Sequence, residues 1–181
     1  QVKMDGVAYP VADEMLTPFA CVTFFEPELA WDVPPGTDFS GLEVYMDSLL
    51  PTENIFYAVT IEGTFSYMKT RSVPAQEKPY PPLAEVTPHQ AVFEFRDVEG
   101  TVVGFYCPAY VRGLNVAGYH LHFLTADRSA GGHVLELETA QAGLVLDSTT
   151  EFTMLLPGEG TGFYTMDLTP DTSAVLEGVE R

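Results

Sequence analysis

The sequence is poor in basic residues. Only 8 Lys and Arg stand against 26 Asp and Glu, and the formal net charge is -18 at pH 7. Nucleic acids and anionic membranes attract proteins through clustered Lys and Arg, so this balance argues against both kinds of partner. It would also repel a carboxylate substrate at long range, and a site for such a substrate therefore needs positive charge of its own.

Cysteine is also scarce, and long apolar runs are absent. The two cysteines, Cys21 and Cys107, fit no C-x-x-C spacing, and each lies beside strand-like apolar residues. This context predicts buried free thiols rather than a disulfide. No apolar run approaches the roughly 18 residues that a membrane-spanning helix needs. We therefore expect a cytoplasmic protein.

The chain begins with Gln1 rather than with Met. We expect a cleaved or missing N-terminal segment, which leaves a secreted protein as an alternative to a cytoplasmic one. Residues 1–9 have the pattern of a strand without a preceding turn. We expect its open edge to be covered by a preceding segment or by a second copy of the chain, as in a homodimer.

Hydrophobic residues make up 46% of the 181 residues, and we predict a single domain over residues 1–181. The pattern is mostly β. Strand-like runs predict one hairpin that turns at 62–63 and another that turns at 97–100. The further predicted strands are 20–25, 119–124, 133–139, 143–148, 151–156 and 162–168.

Two segments have helical patterns. Residues 38–50 place four apolar side chains on one face, with Asp38 or Ser40 as the N-cap, and 171–180 predicts a short C-terminal helix. The predicted fold class is α+β, mainly β, with few helices. We expect two packed, mixed or antiparallel sheets that close partly, like a barrel, around a zinc site.

Three of the four histidines lie between positions 120 and 133. His120 and His122 alternate on a predicted strand, so both imidazoles point to one face of it. The pair Gly131-Gly132 permits a turn that brings His133 alongside them. Three converging imidazoles are typical of a catalytic zinc site, which keeps one position open. The alternative is a strand whose solvent face carries an H-x-H pair by chance; we favour the zinc site because histidine is scarce elsewhere.

Two segments carry a family resemblance. Residues 118–135, GYHLHFLTADRSAGGHVL, resemble the metal-binding segment of the alpha-acetolactate decarboxylases. Residues 69–86, KTRSVPAQEKPYPPLAEV, resemble a second signature of the same family. Weaker similarity extends over 5–180, and so covers essentially the whole chain.

The resemblance implies a zinc-dependent lyase that decarboxylates 2-acetolactate to acetoin and CO2. Its implied zinc ligands are His120, His122 and His133. The family's active-site arginine corresponds to Arg71. Its C-terminal glutamate, which folds back towards the metal, corresponds to Glu180, with Glu177 as a second choice.

The chain departs from the family at one point. Family members carry an N-terminal lobe with a D-G-E stretch whose glutamate reaches the active site, whereas here Asp5-Gly6 is followed by Val7. We expect either a piece of a longer protein or a catalytically diminished relative that binds zinc or serves a structural role.

Other interpretations of these residues stay open. Instead of acting in a site, Arg71 could form an ion pair with an acid such as Glu77. Glu180 could instead be a solvated residue at the end of the predicted C-terminal helix. Another zinc enzyme, such as a hydrolase, would need a carboxylate base near the histidines, as in H-E-x-x-H, and this sequence has no such motif.

Overall fold

A computed structural model of the chain describes residues 1–15, 17, 19–77, 81, 83–167 and 169. Most of the regular structure is β. The strands are β1 (Leu29–Val33), β2 (Phe56–Ser72), β3 (Ala91–Cys107), β4 (Gly118–Thr125) and β5 (Gly131–Thr149). The helices are α1 (Phe39–Leu49) and the single turn α2 (Leu83–Val86), with short 3-10 turns at Thr87–His89, Ala109–Val111 and Gly162–Thr165.

The five strands form one antiparallel sheet in the order β1-β5-β2-β3-β4, and β4 also pairs with the beginning of β5. The mainly β prediction is confirmed. The prediction of two packed sheets is wrong for the described residues, because all five strands are hydrogen-bonded into one sheet. Strands β2 and β3 each run for 17 residues and β5 for 19, so each continues through a point where a sequence pattern suggests a break.

The two predicted hairpins are wrong, because β2 continues through residues 62–63 and β3 continues through residues 97–100. Gly63 does not turn the chain but pairs with Gly100 on β3 and with Ala142 on β5. A Cβ atom at Gly63 would overlap the backbone carbonyl oxygen of Gln141. Glycine is therefore required here by the close approach of a neighbouring strand, a role that resembles a turn when only the sequence is considered.

Helix α1 agrees with its prediction. The Asp38 carboxylate accepts a hydrogen bond of 2.8 Å from the backbone N–H of Gly41, so Asp38 is the N-cap. Leu42 and Met46 are fully buried on the predicted face. They join a core to which all five strands contribute. The helix thus covers part of the core, and its Asp47 accepts a hydrogen bond of 2.9 Å from the Tyr119 hydroxyl on β4.

Four segments predicted as strands are not strands. Residues 1–9 form a small hairpin in which Val2 pairs with Ala8, and 162–165 form a 3-10 turn. Residues 20–25 and 151–156 have no regular structure and expose much apolar surface, as at Phe24 (95%) and Leu155 (89%). Apolar residues alone cannot make a strand where no partner backbone accepts the hydrogen bonds.

The N-terminal hairpin docks on the β4–β5 turn. The backbone N–H of Ala8 donates to the Ser129 carbonyl at 2.8 Å, and the Ser72 hydroxyl donates to the Val2 carbonyl at 2.8 Å.

The helix predicted for 171–180 lies outside the described residues. Among the described residues, no helix has both the length and the apolar character that crossing a membrane requires.

Candidate metal centre

Strand β4 presents two of the three clustered histidines side by side. His120 and His122 lie on one face, with rings nearly parallel (7°) and Nε2 atoms 3.0 Å apart. Leu121 and Phe123, which alternate with them, are buried on the other face in the core. The alternation predicted from the sequence therefore holds, and burial of the apolar residues determines which face the imidazoles occupy.

The third histidine arrives by way of a tight turn. Asp127 organises this turn, because its carboxylate accepts hydrogen bonds from the Thr125 hydroxyl (2.6 Å) and the Ser129 N–H (3.0 Å). The adjacent Arg128 takes the left-handed conformation, with φ 58°. The chain then returns as β5, in which His133 pairs directly with His122.

The glycine pair has a different role from the predicted one. Gly131 and Gly132 belong to β5 and lie opposite Leu124 and Phe123 rather than within the turn. A Cβ atom on Gly132 would come within 2.6 Å of the carbonyl oxygen of Arg71 on β2. The glycines allow β5 to lie close to both of its neighbours, which brings His133 to the other histidines.

Together the three imidazoles form a compact group of nitrogen donors. One ring nitrogen from each of His120, His122 and His133 lies within 4.8 Å of the others. The His133 ring stands nearly perpendicular to the other two, at 74° and 76°, and its Nε2 is buried from solvent. Three convergent imidazoles can hold a metal ion, and neutral nitrogen donors suit zinc and other borderline transition metals.

Local electrostatics favour the neutral form of His122. The pKa of His122 is lowered to about 4, first because surrounding protein atoms desolvate the ring, and then because His120 and the Arg71 guanidinium add positive charge nearby. The residue is still open to solvent on one side. At neutral pH its imidazole is therefore uncharged, which is the form that binds a metal.

Arg71 belongs to the same neighbourhood. It lies on β2 directly opposite His133 on β5, and cross-strand partners point to the same face of a sheet. The residue is only 7% exposed, and its Nη1 donates a hydrogen bond of 3.1 Å to the side-chain oxygen of Gln90. Glu77, considered as an ion-pair partner, is exposed in the segment that follows β2.

The sequence does not predict the contact between Gln90 and Arg71. Gln90 ends the 3-10 turn Thr87–His89 just before β3, and nothing in the local pattern marks it as a neighbour of Arg71. Conversely, Glu180 and its alternative Glu177 lie outside the described residues. His89, the remaining histidine, is in the 3-10 turn and is not among the grouped donors.

The predicted thiols differ from each other in their environment. Both cysteines are free, in agreement with the prediction, but only Cys107 is buried, whereas Cys21 is exposed. The burial prediction for Cys21 is wrong because the apolar run around it does not join the sheet.

Comparison with known proteins places this geometry in a family. The family profile described as alpha-acetolactate decarboxylase matches residues 1–170. Alpha-acetolactate decarboxylase from Methanosarcina mazei is 52% identical over 181 residues, which are 100% of the chain and 62% of that protein. The corresponding protein from Methylococcus capsulatus is 41% identical and 69% covered.

A solved structure agrees with these matches. The crystal structure of alpha-acetolactate decarboxylase from Bacillus subtilis strain 168 has a TM-score of 0.95 and 36% identity, and the similarity covers 99% of the chain and 77% of that structure. The chain thus spans about two thirds of the length of the curated relatives it matches. The profile over residues 1–170, the sequence matches and the fold agree, and the chain belongs to the alpha-acetolactate decarboxylase family.

Proposed function

We propose that the protein containing this chain decarboxylates 2-acetolactate to acetoin and CO2 with the help of one zinc ion. The observation that carries the proposal is the row of side chains in which the imidazoles of His122 and His133 lie beside Arg71 on neighbouring strands. Family membership supplies the substrate class, because the relatives are named for this activity.

His120, His122 and His133 would hold the zinc ion. All three are neutral ligands, so the ion would keep its full double charge, which also offsets the acidic background locally. When bound, zinc supplies a Lewis acid for the negative charge that decarboxylation leaves on the substrate oxygens. The exposed side of His122 gives a small molecule access to the group.

Arg71 would bind the substrate carboxylate. Its guanidinium is nearly buried, carries a permanent positive charge and offers a planar fork of N–H donors that matches a carboxylate. Its hydrogen bond to Gln90 would fix the direction of that fork. The carboxylate would thus be held beside the histidines while the bond to CO2 breaks.

Glu180 would handle the proton that completes acetoin. A carboxylic acid near the reacting carbon can deliver a proton to it, and the family resemblance implies a C-terminal glutamate that folds back towards the metal. Glu177 is the second choice.

We further propose a homodimer, in which the second copy covers exposed apolar residues such as Phe24 and Leu155.

The test combines mass, metal and product. The purified chain would be examined by intact mass, bound-metal analysis and an acetoin assay with racemic 2-acetolactate. We expect about one zinc ion per chain and acetoin formation that chelation abolishes and zinc restores. Stoichiometric zinc without acetoin formation would contradict the proposed reaction.

The second candidate is a catalytically diminished relative that binds zinc without turnover. The observation that favours it is that these 181 residues contain no D-G-E stretch, since Asp5-Gly6 is followed by Val7, whereas the resemblance implies a glutamate from such a stretch in the active site. In that case zinc would raise the melting temperature of the protein, but 2-acetolactate would not be consumed.

A further inference from the structure

The two cysteines are distant in sequence but close in space. The side-chain amide nitrogen of Asn115 lies 3.4 Å from the Cys21 sulfur and 3.5 Å from the Cys107 sulfur. The sulfurs therefore cannot be farther apart than the sum of these distances, about 7 Å, and a modest movement would bring them to bonding distance. No other cysteine exists in the chain to compete.

The surroundings of the two thiols permit that movement. Cys21 is exposed and belongs to residues 20–25, which have no regular structure. The contacts with β5 come from Glu26 and Glu28, so the Cys21 backbone can shift without breaking them. Asn115 lies in the connection between a 3-10 turn and β4, and its oxygen already accepts a hydrogen bond of 2.7 Å from the Val116 N–H. Its amide nitrogen can leave the sulfurs while this contact persists.

We propose that Cys21 and Cys107 form a reversible intramolecular disulfide, which ties residues 20–28 to the end of β3. The bond would close next to the metal-bearing strand, because Cys107 pairs with Gly118, the first residue of β4. Oxidation would thereby fasten the exposed apolar segment across the start of the strand that carries His120 and His122.

The chemistry assigns the thiols different roles. Burial raises the pKa of Cys107 to about 12 and keeps it protonated, whereas the exposed Cys21 is the thiol that an oxidant in solvent reaches. With hydrogen peroxide, the Cys21 thiolate attacks one oxygen and forms a sulfenic acid with release of hydroxide. The Cys107 sulfur then loses its proton and attacks the Cys21 sulfur; the S–S bond forms, the S–O bond breaks, and two waters are the reduced product.

The disulfide can be tested on the intact chain as purified. The reduced protein would be treated with stoichiometric hydrogen peroxide, and in parallel with a mixture of oxidised and reduced glutathione. We expect titratable thiols to fall from two to none, the intact mass to fall by about 2 Da, and digestion to yield one cross-linked peptide containing both cysteines. Dithiothreitol should restore both thiols.

Single variants provide the controls. Cys21→Ser and Cys107→Ala should each show no 2 Da loss of mass and no cross-linked peptide under either treatment, with circular dichroism to confirm that they fold. The disulfide should also raise the melting temperature of the wild type by about 5–10 °C, because it closes a long loop. A gain of about 16 Da per oxidised thiol, or linkage only between chains, would overturn the proposal.

Discussion

Arg71 on β2 lies directly opposite His133 on β5, and His133 in turn pairs with His122 on β4. A permanent cation and two imidazoles thus form one row across three strands. This row explains why the Arg71 charge contributes to the lowered pKa of His122. It also places a cation that can bind an anion beside imidazoles that can bind a metal ion, and a strongly acidic protein needs such local positive charge if it is to accept a carboxylate.

Removal of one imidazole should abolish metal binding. We expect His122→Ala to lose nearly all of the roughly one zinc ion per chain, because the two remaining imidazoles leave too few ligands for a stable tetrahedral site. The measurement is metal content after gel filtration. His89→Ala is the matched control, since His89 lies outside the grouped donors, and its zinc content should be unchanged. Full zinc in His122→Ala would refute the ligand assignment.

The form of the cation at position 71 should matter more than its charge. Arg71→Lys should keep zinc and fold but reduce kcat/KM by roughly 100-fold, because an ammonium group cannot reproduce the two parallel N–H donors. Steady-state acetoin formation measures this, alongside zinc analysis of the same samples. Unchanged turnover would limit Arg71 to a structural role.

Gln90 should act through Arg71. Gln90→Leu removes the acceptor of the 3.1 Å hydrogen bond from Nη1, and we expect kcat/KM to fall about tenfold with zinc content intact. Gln141→Leu is the control, because Gln141 is exposed and lies eight residues farther along β5 than His133. If Gln90 positions the arginine, Gln90→Leu should have little further effect in an Arg71→Lys background.

The Asp127 turn should contribute stability that depends on pH. Hydrogen bonds from Thr125 and Ser129 lower the pKa of the Asp127 carboxyl to about 2. Because the folded pKa lies below the unfolded value, this stabilisation is present at neutral pH and is lost as the pH falls through about 4 towards 2. Asp127→Ala should therefore melt at a lower temperature than wild type at pH 7.

The difference between the two proteins should shrink on acidification. Thermal unfolding would be followed between about pH 7 and pH 3 with chelator present, so that loss of metal does not contribute. A constant difference in melting temperature across that range would show that the carboxylate hydrogen bonds do not stabilise the turn. Zinc affinity at pH 7 should also be weaker in Asp127→Ala, since the turn sets His133 against His122.

The C-terminal glutamate should affect turnover and not metal binding. Deletion of residues 179–181 should lower acetoin formation while leaving zinc content intact, because Glu180 is proposed to handle a proton. Glu180→Gln keeps the size of the side chain and removes its acidity, and it should reproduce most of the loss. Full activity in both variants would show that Glu180 has no part in turnover.

Local sequence determined those features that depend on side-chain periodicity and capping. The alternation of His120 and His122 with apolar neighbours places both imidazoles on one face, whichever strand lies beside them. The Asp38 cap and the apolar face of α1 are likewise readable over a dozen residues. These features arise from short-range geometry and burial, and the sequence contains that information directly.

Only the tertiary structure decided how distant segments meet. Whether Gly63 turns the chain or lets two strands approach depends on β3 and β5, which lie far away in the sequence. The same holds for Arg71 opposite His133, for the Gln90 contact and for the two cysteines at Asn115. Strand register arises from hydrogen bonds and packing summed over the whole sheet, and local patterns do not encode it.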